Sequence, residues 1–219
     1  GNPGCGKTSV ARLLAELFHE SGVVQGEAFV EVQRGDLVAS YMGQTASKTR
    51  AVIERAKGGM LFIDEAYRLS NSGSSDYGQE AIEEIMKDLT SGDPVVCLAG
   101  YPKEMDEFLR ANPGLRRRFP LVFQFPDYTP GDIAKIFMAK ATGQGYRFSD
   151  DVTEDTVAGL LEQHSTKAWR ALQNGALGDL LLERTSRALD ARMPANFTKE
   201  LAEVIMLVDV VDASQGLMK

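Results

Sequence analysis

Cysteine, histidine and tryptophan are scarce in these 219 residues, at two, two and one respectively. Two cysteines cannot build a disulfide framework, and neither Cys5 nor Cys97 has partners at metal-ligand spacing. Cys97 sits in an apolar run and reads as a small core residue. His19 and His164 stand alone and read as surface or capping residues rather than ligands. Long apolar runs are missing too: none approaches the roughly 20 residues of a membrane span, so no membrane partner is expected. Positive charge is in deficit, with a formal net charge of −7. That counts against a general affinity for nucleic acid, which is held mainly by neutralising phosphates. A local basic cluster does occur at Arg116-Arg117-Arg118. With 43% hydrophobic and 25% charged residues, what is left is an ordinary globular composition, enough for one large domain or two small ones.

Against these absences the first residues are dense in information. Gly1-Asn2-Pro3-Gly4-Cys5-Gly6-Lys7-Thr8 has the GxxxxGK[ST] spacing of a phosphate-binding loop. Glycines at positions 4 and 6 let the backbone wrap an anion without Cβ clashes, so that its N–H groups face phosphate oxygens. Lys7 would reach the β- and γ-phosphates, the Thr8 hydroxyl would coordinate Mg²⁺, and a helix beginning here adds the positive end of its dipole. Asn2, Pro3, Gly4, Cys5, Gly6, Lys7, Thr8 and Ser9 are therefore the candidate nucleotide-binding residues; a plain glycine-rich turn is the alternative. Such a loop normally follows a buried strand. None precedes Gly1, so the sequence reads as a stretch of a longer protein.

Beyond the loop, helical and strand signals alternate. Thr8–Glu20 is predicted helical with Val10, Leu13, Leu14, Leu17 and Phe18 on one face, and Thr45–Lys57, Gln79–Leu89 and Lys103–Arg110 follow as helices. Ala28–Val32, Met60–Ile63, Val95–Ala99 and Leu121–Phe125 read as strands. Residues 70–78 read as a polar loop. Alternation of this kind predicts an α/β fold, a parallel sheet with helices on both faces. After Pro126 the pattern turns helical. Thr129-Pro130 is an N-cap followed by an N1 proline, and helices are expected at about 131–141, 153–163 and 176–192 with no comparable strand signal between them. The expected division is residues 1–126 as the α/β domain, 127–195 as a small helical domain, and 196–219 as a tail. In that tail Leu201–Val211 fits helix or strand.

The second chemical signal is Met60-Leu61-Phe62-Ile63-Asp64-Glu65, a buried strand ending in two carboxylates at the sheet edge where α/β folds bind ligands. Asp64 would hold the hydration shell of Mg²⁺, which takes few direct carboxylates. Glu65 would orient and polarise the water that attacks the γ-phosphate.

Together these segments resemble the AAA+ ATPases, and specifically the CbbX-like branch that includes red-type Rubisco activase and stage V sporulation K-like proteins. Besides Gly1–Thr8, the residues that carry the resemblance are Asp36-Leu37-Val38, Tyr41-Met42-Gly43-Gln44-Thr45, Gly58 through Tyr67, Tyr77 through Ile82, Leu98-Ala99-Gly100-Tyr101, Asn112-Pro113-Gly114-Leu115 and Phe125-Pro126-Asp127-Tyr128. It covers about residues 1–142 and fades in the helical part. The resemblance implies a P-loop three-layer sheet ordered 5-1-4-3-2, here lacking its first, central strand, followed by a small all-α lid. With two neighbouring strands left without that partner, such a stretch is expected to fold poorly by itself.

By the same resemblance, ATP with Mg²⁺ is the expected cofactor. Arg118, with Arg116 second, is the expected arginine finger acting on a neighbouring subunit, a solvated basic turn being the alternative. A finger acting in trans requires an oligomer, a homo- or hetero-oligomeric ring that is hexameric in the family. Tyr41, Met42 and Gly43 resemble the pore loop that grips a protein substrate, Rubisco being the substrate the resemblance suggests; an apolar core plug is the alternative. Tyr101 stands where the family senses the γ-phosphate.

One departure matters. Where the family carries an Asn-small-Arg-x-apolar-Arg pattern, this chain reads Asn174-Gly175-Ala176-Leu177-Gly178-Asp179, with both arginines absent. Gly178 should cost about 1 kcal/mol relative to alanine inside a helix. Arg170 lies nearby at the wrong spacing. Three readings follow: an ATP-hydrolysing ring subunit that remodels a protein, a regulatory subunit that binds ATP and hydrolyses it poorly, and a nucleic-acid motor disfavoured by the acidic balance.

Overall fold

Three short, mostly apolar runs in the first 125 residues become one parallel sheet, with β1 (Phe29–Val32), β2 (Met60–Ile63) and β3 (Val95–Leu98) in the spatial order β1-β2-β3. The computed structural model describes residues 1–41, 43–70, 77–194 and 199–218. They divide into an α/β unit, Gly1 with Gly6–Phe125, and a helical unit, Asn2–Cys5 with Pro126–Lys219.

In the α/β unit β2 is central and buried throughout, with Leu61 paired to Val30 on one side and to Val96 on the other. Because side chains alternate along a strand, Met60 and Phe62 face α1 (Lys7–Glu20). Leu61 and Ile63 face the opposite core, built from α2 (Arg34–Leu37), α3 (Thr45–Ala56), α4 (Gly78–Asp88), α5 (Pro102–Ala111) and α6 (Pro113–Arg118). Each such fully buried side chain stabilises the fold by roughly 1.5–3 kcal/mol relative to exposure. Arg50 of α3 pairs with Asp88 at 3.2 Å and with the buried Glu84 of α4. Lys87 first and Arg50 second hold the Glu84 carboxyl below its ordinary range. Burial pushes the Cys97 thiol up to about 11, so it behaves as the small apolar residue expected there.

In the α/β unit two sequence expectations need correction. Helix α1 does not turn Val10, Leu13 and Leu17 inward; it packs Ala11, Leu14, Ala15 and Phe18 on the sheet and leaves those three exposed. That i, i+3, i+4, i+7 set is the narrower face, and its two alanines allow close approach to β2. Leu121–Phe125 is not a strand: Leu121, Val122 and Phe123 are 76%, 72% and 66% exposed and join no ladder. A strand exists only through its partner, and among the described residues no strand pairs with β3 on the side away from β2. The three strands match the 2-3-4 part of the expected sheet order.

The helical unit opens with the signal read at Thr129-Pro130. Thr129 Oγ1 accepts from Asp132 N at 3.1 Å and Asp132 Oδ2 accepts from Thr129 N at 3.0 Å, starting α7 (Pro130–Gly143). These Thr129 hydrogen bonds keep the Asp132 carboxyl below its usual range. Then come β4 (Arg147–Phe148), α8 (Glu154–His164), α9 (Lys167–Gln173), α10 (Ala176–Arg192), α11 (Lys199–Ala202), β5 (Val204–Ile205) and α12 (Leu207–Gln215). The stretch that fitted helix or strand is thus both, and β5 pairs in parallel with β4, a strand that the sequence reading missed. Val210, Ala213 and Leu217 share one core with Ile133, Phe137, Leu161 and Leu181, so the stretch set apart as a tail packs with the helices before it. Gly178 also gains a reason: a Cβ there would lie 2.8 Å from Ile136 Cγ2, so its absence lets α10 pack close to α7.

The buried Asp209 receives a two-pronged ion pair from Arg192, Nε to Oδ1 at 2.8 Å and Nη2 to Oδ2 at 3.0 Å, and caps Met206 N at 2.8 Å. Removing one partner of a buried pair strands the other's charge. Asp209→Ala is expected to destabilise the protein by about 3 kcal/mol, read as a lowered urea midpoint at unchanged m-value. Replacing both residues, Asp209→Leu with Arg192→Met, should recover much of the loss; equal losses from the single and double variants would contradict this account.

Candidate nucleotide-binding site

Two glycines shape the loop that leads into α1. Gly4 has φ 68° and Gly6 has φ 84°, both in the left-handed region. A Cβ on Gly4 would lie 2.7 Å from the carbonyl oxygen of Gln173, so the position also lacks room for one. Gly6 is the N-cap of α1; it supplies no side-chain cap, and the first turn holds no acidic residue. The positive end of this helix's dipole would suit an oxyanion. Cys5 is buried, and its Sγ donates to Asn2 O at 2.9 Å. Thr8 is half-buried and Ser9 exposed on the first turn of α1.

At the end of β2 the chain turns sharply. Glu65 has φ 51°, a conformation uncommon for a residue with a Cβ, and enters a 3₁₀ turn over Ala66–Ser70. Asp64 Oδ1 accepts from Glu65 N at 3.0 Å. Both Glu65 carboxylate oxygens hold a partner: Oε1 accepts from the Tyr67 hydroxyl at 3.3 Å and Oε2 from Arg68 Nε at 2.8 Å. Tyr101, just beyond β3, packs its ring on Tyr67 with centroids 5.7 Å apart. Lys7 Nζ lies 5.8 Å from the Tyr101 ring centroid and donates to Gly1 O at 3.0 Å. Lys7, Tyr101, Tyr67, Glu65 and Arg68 therefore form one continuous cluster. Burial first, then the Glu65 charge, pushes the Tyr101 hydroxyl above its ordinary value. Burial likewise raises Tyr67, and the Tyr67 hydroxyl with Glu65 raises Arg68. At neutral pH the two tyrosines stay protonated and Arg68 stays charged.

The chemistry of these donors suits a magnesium nucleotide. The Thr8 hydroxyl and the Asp64 carboxylate are hard oxygen donors. Among the described residues no cluster of three or more His, Cys, Asp or Glu could hold a metal unaided. Magnesium here would be held largely by substrate phosphates and water.

The other predicted residues stand elsewhere in the α/β unit. Arg116, Arg117 and Arg118 are exposed on α6, whose Leu115 anchors it in the core, and Arg118 Nη1 donates to Gly114 O at 3.2 Å. Tyr41 is 72% exposed, and Gly43 turns the chain with φ 76°. The buried Thr45 and Thr49 pin the flanks of this loop, Thr45 Oγ1 accepting from Ala39 N and Thr49 Oγ1 donating to Leu37 O. Met42 lies outside the described residues.

In the helical unit Asp179 ion-pairs with Lys140 of α7. Arg170 does not stand in for the absent arginines, because its Nη1 donates to Ser165 O at 2.7 Å and Leu161 O at 3.4 Å, closing the end of α8. Sequence reasoning assigned no role to Tyr67, Arg68 or Asn174. Tyr67 and Arg68 follow the carboxylate pair with Ala66 between, and that proximity was the available signal.

A parallel sheet flanked by helices, a glycine loop feeding a helix N-terminus and carboxylates at a strand's C-terminal end define a P-loop nucleotide-binding protein. Residues 1–127 match the ATPase family associated with various cellular activities (AAA), and residues 127–219 match a domain of unknown function, DUF8495. The chain belongs to the AAA family, on its CbbX-like branch. Stage V sporulation protein K of Bacillus subtilis (strain 168) is 40% identical over 195 residues, 88% of this chain and 61% of that protein. The chloroplastic ribulose bisphosphate carboxylase/oxygenase activase of Cyanidioschyzon merolae (strain NIES-3377 / 10D) is 41% identical over 154 residues, 69% of this chain and 53% of that protein. The chain thus spans less than two thirds of the length of these relatives. Its fold is shared by the FIGL-1 AAA domain, crystallised with ADP, at TM-score 0.65 and 20% identity over 99% of this chain and 70% of that one.

Proposed function

We propose that the protein binds ATP with Mg²⁺ at the loop Asn2–Ser9, hydrolyses it as a subunit of a ring, and uses the cycle to remodel a protein substrate. The observation that carries this reading is the cluster joining Lys7 to Glu65 through Tyr101 and Tyr67 at the edge of the sheet. Loop amides and Lys7 would bind and orient the phosphates. Thr8 and Asp64 would hold Mg²⁺, which when bound neutralises charge on the phosphate oxygens. Glu65 would take the proton of the attacking water, its carboxylate oriented by Tyr67 and Arg68. Tyr101 would report on the γ-phosphate, and Arg118 would act on the site of a neighbouring subunit.

The exposed Tyr41, on a loop pinned at both flanks, supports the view that the substrate is a protein chain, since aromatic contacts are largely non-directional and tolerate varied sequences. Rubisco is one candidate, because a relative is named for activating it. Phosphate release by the purified protein, with and without inhibited Rubisco, tests the reading. Tyr41→Ala is expected to keep basal turnover and lose stimulation by the substrate; stimulation equal to that of the native protein would remove Tyr41 from the substrate path.

One observation favours a second reading, a regulatory subunit that binds ATP and hydrolyses it poorly. Asp179 stands in place of a family arginine and is neutralised by Lys140. Robust turnover by the protein alone excludes this reading, whereas turnover confined to mixed assemblies supports it.

A further inference from the structure

Asn174 is fully buried, holds φ 46°, and directs its side chain at the nucleotide loop rather than at solvent. Its Nδ2 lies 3.0 Å from Pro3 O, 3.0 Å from Asp127 Oδ1 and 2.7 Å from Ala171 O. Its Oδ1 accepts from Tyr128 N at 2.9 Å. Next to it, Gly175 N donates to Gly4 O at 3.0 Å, and a Cβ on Gly175 would lie 2.8 Å from that same oxygen. Asn2 Nδ2 completes the set with Asp127 Oδ1 at 2.8 Å. All of these residues lie within the helical unit as the chain divides, since Asn2–Cys5 is part of it.

We propose that the Asn174-Gly175 turn is the positioning element of the nucleotide loop, holding the carbonyls of Pro3 and Gly4 so that the loop is shaped for phosphate before any nucleotide arrives. The inference rests on the reading of Asn2–Ser9 as the phosphate site. A glycine-rich segment is costly to order, because glycine loses more backbone freedom than any other residue. A loop fastened in advance has already met that cost, so its ligand binds more tightly without any new contact. Asn174 suits the task because its amide donates and accepts at once. The loss of both arginines nearby leaves this backbone clamp intact. By linkage, a nucleotide held by the loop must in turn steady the turn.

The test measures the affinity of the full-length protein for fluorescent N-methylanthraniloyl-ADP, and kcat at saturating ATP. Asn174→Ala removes the clamp, and Gly175→Ala pushes on Gly4 O while leaving Asn174 in place. Both are expected to weaken binding about 10-fold, equivalent to about 1.4 kcal/mol, with kcat at saturation unchanged. A purely structural defect would instead lower kcat and binding together through loss of folded protein, which thermal melting without nucleotide detects. Native affinity in either folded variant overturns the proposal. If neither variant folds, hydrogen exchange on the native protein decides: ADP is expected to slow the Gly175 amide at least about 10-fold, and unchanged exchange overturns the proposal. Lys7→Ala separates the two levels, since native affinity in that variant overturns the phosphate-loop reading itself.

Discussion

Replacing Glu65 by glutamine is expected to lower turnover about 10²–10⁴-fold while ATP still binds. Glutamine keeps the size of the side chain and can still accept from the Tyr67 hydroxyl, which lies 3.3 Å from Oε1 in the native protein. What it cannot do is take a proton from water or hold Arg68 by charge. Binding and chemistry therefore separate: equilibrium affinity measures what the loop and Lys7 do, and single-turnover phosphate release measures what Glu65 does. Equal turnover in the two proteins would remove Glu65 from the mechanism. A uniform fall in affinity and turnover would mean that the sharp bend at Glu65, with φ 51°, had been disturbed rather than its chemistry.

The second large effect is expected at Arg118. If it completes the site of a neighbouring subunit, Arg118→Ala lowers turnover by about 10³–10⁵, and the loss does not depend on its own subunit's loop. Its exposure on α6, with Nη1 tied to Gly114 O at 3.2 Å, leaves the guanidinium within reach of a partner. The decisive experiment mixes two inactive proteins. In an equimolar assembly of Arg118→Ala and Glu65→Gln, roughly a quarter of the interfaces join an intact Glu65 to an intact Arg118. Activity should then return from near zero to about that fraction of native turnover. Failure of the mixture to regain activity, with assembly verified by light scattering, assigns Arg118 a role inside its own subunit. Arg116→Ala in the same mixture shows whether the neighbouring arginine shares the task.

The candidate residues could be picked out in the sequence because chemistry constrains such groups locally. Gly4, Gly6, Lys7 and Thr8 lie within five positions, and Asp64-Glu65 sits directly on the end of a strand whose apolar run is itself a signal. The helix start at Thr129-Pro130 was legible for the same reason, since a capping box closes within four residues. Leu121–Phe125 was misread because β propensity says nothing about whether a partner strand is present. The face of α1 was misread because five large apolar residues looked inward, whereas two alanines fit closest to β2.

What the sequence alone determined is the set of groups: a glycine loop of GxxxxGK[ST] spacing, two strand-end carboxylates, a run of three arginines, and the absence of the two arginines expected after Asn174. These follow from residue type and short spacing, over which the backbone leaves few choices. What only the tertiary structure decided is which groups meet. Asn174 reaches Pro3 across 171 positions of chain, and Tyr101 joins Lys7 to the Tyr67–Glu65 pair because two parallel strands end side by side. Such contacts depend on how helices and strands pack, and packing is settled by the burial of side chains far apart in sequence, beyond the reach of any local pattern.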